Sequence, residues 1–437
     1  MQRKLVLSII VMTILMAIFS VSLKITEDVN NKRLVQEYTY STRTVGNIDT
    51  SIAPPTQKAI EYHNKRVNLW IFNIAMSLLI PIVFLFSGLS SFTRNYCSGK
   101  SKNLLIVMFL YFLIYSIINT IINFPLDYYS SFTLKHSYGL SNQSFIKWAE
   151  DYFKNFAIYT LVGGCFISVP YLFIKKFPNY WWLNLGLLLI PIIAFVTFIS
   201  PMYIDPIFNK YEKIQDTTLE RKIYEELDKA SIKNCKVYQV NKSVDTKEMN
   251  AYMTGIFNTK RIVLWDTTIK NLTERETLGI LAHEMGHYLM GHVWKSIVLG
   301  GVLSVFIFYL VNKGSIWVID KSGGIFGFTK LYDIASLPLL ILMLNIFMFI
   351  AQPGINSYTR YTEREADRFE LELTKDNEAS ASAMIKLHET SLVLPSPGII
   401  YKLWNYDHPT FEERVKFANS YKPWEQGKAL KYDKYIK

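Results

Sequence analysis

Charge-free apolar runs punctuate this chain at 5–23, 69–92, 104–124, 156–174, 181–201, 296–311 and 335–350. Each is near the ~20 residues that an α-helix needs to cross the hydrocarbon core of a bilayer. The pattern predicts five spans in residues 1–201 and two more beyond residue 295. Between them, roughly 24–66 and 125–154 are polar and are expected to be loops. The first run follows Gln2-Arg3-Lys4, as a secretory signal would. Its apolar stretch is long and no small-x-small cleavage site follows, so a retained span is expected. Trp181-Trp182 and tyrosines near several run ends suit the interfacial belts of a membrane protein.

The period changes in residues 202–295, which read as soluble helix, strand, hairpin and helix. Leu219, Ile223, Leu227 and Ala230 make a helical stripe after Thr217-Thr218. Residues 235–240 alternate like a short strand. The runs 250–257 and 261–265, joined by Asn258-Thr259-Lys260, read as a hairpin. That hairpin is either a prop for the next helix or an edge strand that pairs with an extended peptide. Thr273-Glu274-Arg275-Glu276 is a capping box, with Leu278, Leu281, Ala282, Met285 and Leu289 forming the apolar face behind it.

That helix carries His283-Glu284-Met285-Gly286-His287. Histidines four apart share a helix face and can hold one metal ion, while Glu284 projects about 100° round the axis, where a general base belongs. Zinc takes imidazole and carboxylate ligands and leaves a position for water. With 7 histidines in 437 residues, chance would supply about 0.005 such matches. A catalytic zinc has three protein ligands. Glu363-Arg364-Glu365-Ala366-Asp367 can supply the third, with Glu363 on the metal and Asp367 orienting a ligand. Taken alone, this run with Arg360, Arg368 and Glu370 also reads as a solvated charged helix face.

The chain is 50% hydrophobic with a net charge of +11. Its basic residues lie mostly in polar segments without an aromatic-interleaved stripe, which argues against nucleic acid and for anionic lipid headgroups. Cys97, Cys165 and Cys235 match no disulfide or zinc-ligand spacing.

The motifs together resemble the type I CAAX prenyl protease family, seven-span zinc metallopeptidases, almost end to end. Pro125-Leu126-Asp127-Tyr128-Tyr129-Ser130-Ser131-Phe132 resembles its first polar-loop motif, and Pro206-Ile207-Phe208-Asn209-Lys210 its signature after the fifth span. Asn250-Ala251-Tyr252 resembles its substrate strand, continued by Arg261-Ile262-Val263-Leu264. Thr359-Arg360-Tyr361-Thr362-Glu363-Arg364-Glu365-Ala366-Asp367 departs from the family's ligand motif only in threonine for serine. Asp407-His408-Pro409-Thr410-Phe411-Glu412-Glu413-Arg414 resembles its late His-Pro…Glu-Arg motif. The resemblance implies that His408 donates to the oxyanion, that Arg414 holds Asp367 or the zinc ligands, and that Asn250, Ala251, Tyr252, Met253 and Thr254 hold the peptide.

The resulting expectation is a mainly α, polytopic membrane protein of about seven transmembrane helices. Residues 1–201 form a membrane domain, and 202–437 a zinc-metallopeptidase domain with a small β-hairpin or sheet, interrupted by spans at about 296–311 and 335–350. One Zn2+ per chain, a peptide or protein substrate prenylated at its C-terminus, membrane lipid and no nucleic acid are the expected partners. The Lys, Ile, Asn and Tyr richness fits an AT-rich bacterial genome, hence a bacterial cell membrane. Lysines and arginines flank the spans on both sides alike; the resemblance alone puts the zinc domain in the cytoplasm. The same zinc site would serve a quality-control metallopeptidase with no prenyl requirement, and a scaffold with structural zinc is a third reading. Hydropathy gives no intramembrane chamber; the resemblance does.

Overall fold

The computed structural model describes residues 2–41, 52–256 and 259–437. Part of the 24–66 segment (42–51) and two residues of the expected hairpin (257–258) lie outside the described residues. Among the described residues, seven helices are long and apolar enough to cross a membrane: Leu7–Leu34, Gln57–Phe86, Leu104–Ser137, Phe145–Lys176, Trp181–Ile207, His292–Ser322 and Ile334–Thr374. They are called spans 1 to 7 below.

Two expectations from polarity are corrected. The described parts of 24–66 are mostly helix, because span 1 belongs to a helix running Gln2–Ser41 and span 2 begins at Gln57. Most of 125–154 is helical too, through a π-type turn at Tyr128–Thr133 and the helix Phe145–Phe166. Polarity marked where the chain leaves lipid, and the helices continue past that point. The apolar run 69–92 is also not one helix. It breaks at Ser87 and at Gly88, whose φ of 77° favours glycine, before the helix Leu89–Lys100.

The spans pack in the sequence 2-7-6-5-4-3, and the helix Leu89–Lys100 joins span 3 back to span 2. At the end away from the peptidase, Ile80, Phe84, Tyr111, Tyr115, Tyr171 and Leu337 draw spans 2, 3, 4 and 7 into one apolar cluster.

The soluble part is built on a sheet of β1 (Tyr211–Lys213), β2 (Lys236–Val240), β3 (Ala251–Thr254) and β4 (Arg261–Trp265). Its order is β1-β2-β4-β3, so β3 is an edge strand, antiparallel to β4 with Tyr252 opposite Val263. β2 and β4 run parallel, and the sequence pattern did not reveal β1. The amphipathic stripe forms the helix Thr217–Lys229, capped by Asp216. Its Leu219, Ile223 and Leu227 share a core with Ile262 and Leu264 of the sheet, Leu281 and Met285 of the motif helix, and Phe369 of span 7. This core fixes the sheet, the motif helix and the last span to one another.

Candidate metal centre

The motif helix is Glu274–Leu289, opened by a complete capping box of Thr273 and Glu276. It packs along the helix Leu337–Thr374, which carries span 7 out of the membrane. Gly286 makes that approach possible, since a Cβ there would lie 3.0 Å from Cδ1 of Phe369. Close packing brings His283 and His287 against Glu363.

Three donor atoms face one another. His283 Nε2 is 3.1 Å from His287 Nε2 and 3.1 Å from Glu363 Oε2, and His287 Nε2 is 3.2 Å from Glu363 Oε1. A tetrahedral zinc with bonds of ~2.0–2.1 Å has ligand-to-ligand edges of about 3.3–3.4 Å. The triangle is therefore within about 0.3 Å of a zinc-ligand face. Both His283 and Glu363 are buried, and Glu284 on the next face of the helix is half-buried. Burial opposes charge on His283, yet the carboxylates of Asp367 and Glu363 outweigh it and push its pKa up to about 10. The pocket thus favours a positive charge, as a site built for a cation should.

The far side of His283 is equally specified. Its Nδ1 lies 3.0 Å from Asp367 Oδ1, which also accepts from Arg414 Nη2 at 2.6 Å and Nε at 3.1 Å. Arg414 Nη2 is 3.3 Å from the same Nδ1, but a guanidinium only donates, so Asp367 is the partner that takes the His283 proton. A second trio, His283, Asp367 and Glu370, could by distance also hold a metal. Arg414 already occupies Asp367, so the Nε2 side is the better site.

His408 is half exposed, with Nε2 3.2 Å from Glu363 Oε2 and Nδ1 2.8 Å from Asp407. Its segment is held to span 7 by a set of backbone contacts. Pro353 lacks an N–H, so the carbonyl of Phe349 four residues back has no helical donor. Trp404 Nε1 donates to it at 3.0 Å. Asn356 donates to the carbonyl of Leu403, and Arg360 to those of Lys402 and Tyr406. The arginines of this helix are thus clamps rather than a solvated face: Arg364 reaches the Glu413 carbonyl and lies over Phe417, and Arg368 pairs with Glu365.

All six residues His283, His287, Glu363, Asp367, His408 and Arg414 come together. The substrate-strand candidates are placed less uniformly. Met253 and Thr254 share a cavity of about 260 Å3 with His287, Phe198 and Trp294. Asn250, Ala251 and Tyr252 lie outside it: Asn250 Oδ1 accepts from the Ala251 N–H, and Tyr252 meets the Tyr211 hydroxyl. Sequence reasoning missed His292. Its Nδ1 lies 3.0 Å from Nδ1 of His287, because Gly291, at φ 65°, ends one helix and lets the next start at once. The signal was available in a glycine directly after a capped, periodic helix.

Family models match both parts of the chain. Residues 49–210 match the CAAX prenyl protease N-terminal model, described as five membrane helices, and residues 213–422 match peptidase family M48. The uncharacterized metalloprotease YhfN of Bacillus subtilis is 34% identical over 376 residues, covering 84% of this chain and 87% of its own. CAAX prenyl protease 1 of Saccharomyces cerevisiae is 28% identical over 331 residues, 69% of each chain. The crystal structure of S. mikatae Ste24p superposes with a TM-score of 0.77 at 22% identity, covering 93% of this chain and 98% of that one, so the two share a fold.

Proposed function

The chain belongs to the type I CAAX prenyl protease family of M48 peptidases, integral multi-pass membrane zinc metalloproteases, and from that premise we propose how its residues cut a peptide bond. Family membership sets aside the reading as an inert scaffold. His283 and His287, through Nε2, and Glu363 hold one Zn2+ per chain; the 3.1–3.2 Å donor triangle is the observation that carries this assignment. When bound, zinc supplies a Lewis acid that makes water a nucleophile near neutral pH.

Glu284 takes the proton of the attacking water and returns it to the leaving amine. His408 donates from Nε2 to the oxygen that gains charge as the carbonyl is attacked. Asp367, neutralised by Arg414, keeps His283 in the tautomer with its proton on Nδ1. The free edge of β3, with its flanking Asn250, holds the substrate extended; Met253 and Thr254 line the cavity beside His287. Residues 202–437 act as the peptidase domain and 1–201 as the membrane domain, a division supported by the boundary between the two family models.

The substrate is a protein or peptide, and by likeness to the yeast CAAX prenyl protease 1 it carries a prenyl group near its C-terminus. The bilayer lipid is the second partner. A bacterial cell membrane is the setting supported by the Bacillus relative, and the family resemblance alone puts the zinc domain on its cytoplasmic side. A second reading is a membrane quality-control peptidase indifferent to prenylation; the printed name of the more similar Bacillus relative, an uncharacterized metalloprotease, specifies no prenylated substrate.

The test is cleavage of a farnesylated CAAX peptide and its unprenylated twin by detergent-purified protein. Chelator-sensitive cleavage of the farnesylated peptide alone is expected. Glu284→Gln should retain one zinc per chain and lose ~10²–10⁴-fold in rate. Equal cleavage of both peptides would replace the prenyl reading with the second one.

A further inference from the structure

His287 presents Nε2 to the donor triangle, 3.1 Å from His283 Nε2 and 3.2 Å from Glu363 Oε1. A nitrogen that ligates a metal carries no proton, so the proton of a neutral His287 must sit on Nδ1. That Nδ1 lies 3.0 Å from Nδ1 of His292, a side chain only 6% exposed. Two ring nitrogens at that distance share one proton. His292 therefore offers a bare Nδ1 and keeps its own proton on Nε2.

We propose that His292 is a positioning residue: a neutral imidazole that accepts the Nδ1 proton of His287 and thereby aims its Nε2 at the metal. This rests on the ligand assignment made above. The partner type matters as much as the bond. A carboxylate stands behind His283, but Arg414 cancels its charge. A neutral ring stands behind His287. Both supports are thus neutral overall, and Glu363 is the one anion among the three ligands. With a divalent cation the centre keeps a net positive charge, which preserves its power to polarise a carbonyl. An aspartate at 292 would tighten metal binding and weaken that polarisation together.

The test uses the full chain in detergent with zinc, comparing wild type, His292→Asn, His292→Leu and His292→Asp. Zinc retention against a competing chelator and kcat on the peptide cleaved by wild type are measured for each. His292→Leu should lose ~10–100-fold in zinc affinity. His292→Asn keeps an acceptor near the same place and should restore affinity to near wild type. His292→Asp should bind zinc more tightly while kcat falls and KM changes little, an opposition that a packing role would not produce. Thermal unfolding of the zinc-free proteins reports whether each variant folds; if His292→Leu does not, the asparagine and aspartate variants decide. Equal zinc affinity in wild type and His292→Leu, equal losses in Leu and Asn, or aspartate weakening zinc would each overturn the proposal. Wild type binding no zinc would instead overturn the ligand assignment itself.

Discussion

Span 1 and span 7 are both long and apolar, yet they meet the rest of the protein differently. Of the most apolar window of Leu7–Leu34, 6% is buried against protein; for Ile334–Thr374 the share is 39%. Span 1 leaves Leu7, Ile14, Leu15 and Ile18 exposed, and it engages the protein chiefly at its peptidase end, where Glu27 meets His63 and Asn30 meets the Ser396 carbonyl. Span 7 buries Leu337, Leu339 and Leu342 and bonds through Asn345 to the Ser77 carbonyl. Lipid tails and a packed interior are about equally apolar, so hydropathy cannot separate an anchor from a site-bearing helix. The distinguishing marks are the few polar and proline positions, which need protein partners.

Substitutions in the two spans and around the site test this contrast. The largest effect is expected from Glu363→Ala at the peptidase end of span 7, which should leave no zinc after dialysis against a chelator and no peptide cleavage. Next, Leu339→Ala should cost ~2–5 kcal/mol in detergent unfolding, whereas Leu15→Ala in span 1 should stay within about 0.5 kcal/mol. Similar losses at both would mean that span 1 has a protein partner. Trp404→Phe removes the donor to the Phe349 carbonyl and should cost ~1–3 kcal/mol, with kcat falling as the His408 segment loosens.

The smallest effect concerns acid. Burial would raise the Glu276 carboxyl, but Lys386, Ser382 and the Thr273 backbone outweigh it and hold it below its usual value. A carboxyl lowered in the folded state stabilises above its unfolded pKa of about 4.3, and that stability is lost as pH falls through the lower folded value. Glu276→Gln should therefore flatten the fall in unfolding temperature between about pH 5 and 3, and an unchanged slope would remove Glu276 from the account.

The seven spans could be read from charge-free apolar runs, and the capped motif helix and the strands β2 to β4 from periodicity, because each depends on local sequence. His283, Glu284 and His287 followed from one helix face. Glu363 and Asp367 were ambiguous until the longer motif was considered, since a charged helix face looks alike whether water or protein covers it. His292 was hidden because it falls between the motif and the apolar run at 296–311 and belongs to neither pattern; only the helix break at Gly291 brings it to His287. Trp404 and Pro353 are 51 residues apart, and no short pattern joins a missing helical N–H to a distant indole. The helical continuations beyond the membrane were hidden too, since polarity reports exposure and not backbone shape.

The continuity of Leu337–Thr374 makes it a lever. From Leu337 to Glu363 the helix rises 26 residues, about 39 Å at 1.5 Å per residue. Tilting it by one degree about its far end would carry the Glu363 carboxylate ~0.7 Å sideways. Productive ligand geometry tolerates about 0.5 Å. The Trp404, Asn356 and Arg360 contacts therefore brace the lever around Pro353, and a tilt there reaches the ligand geometry only where those contacts and the peptidase core give way.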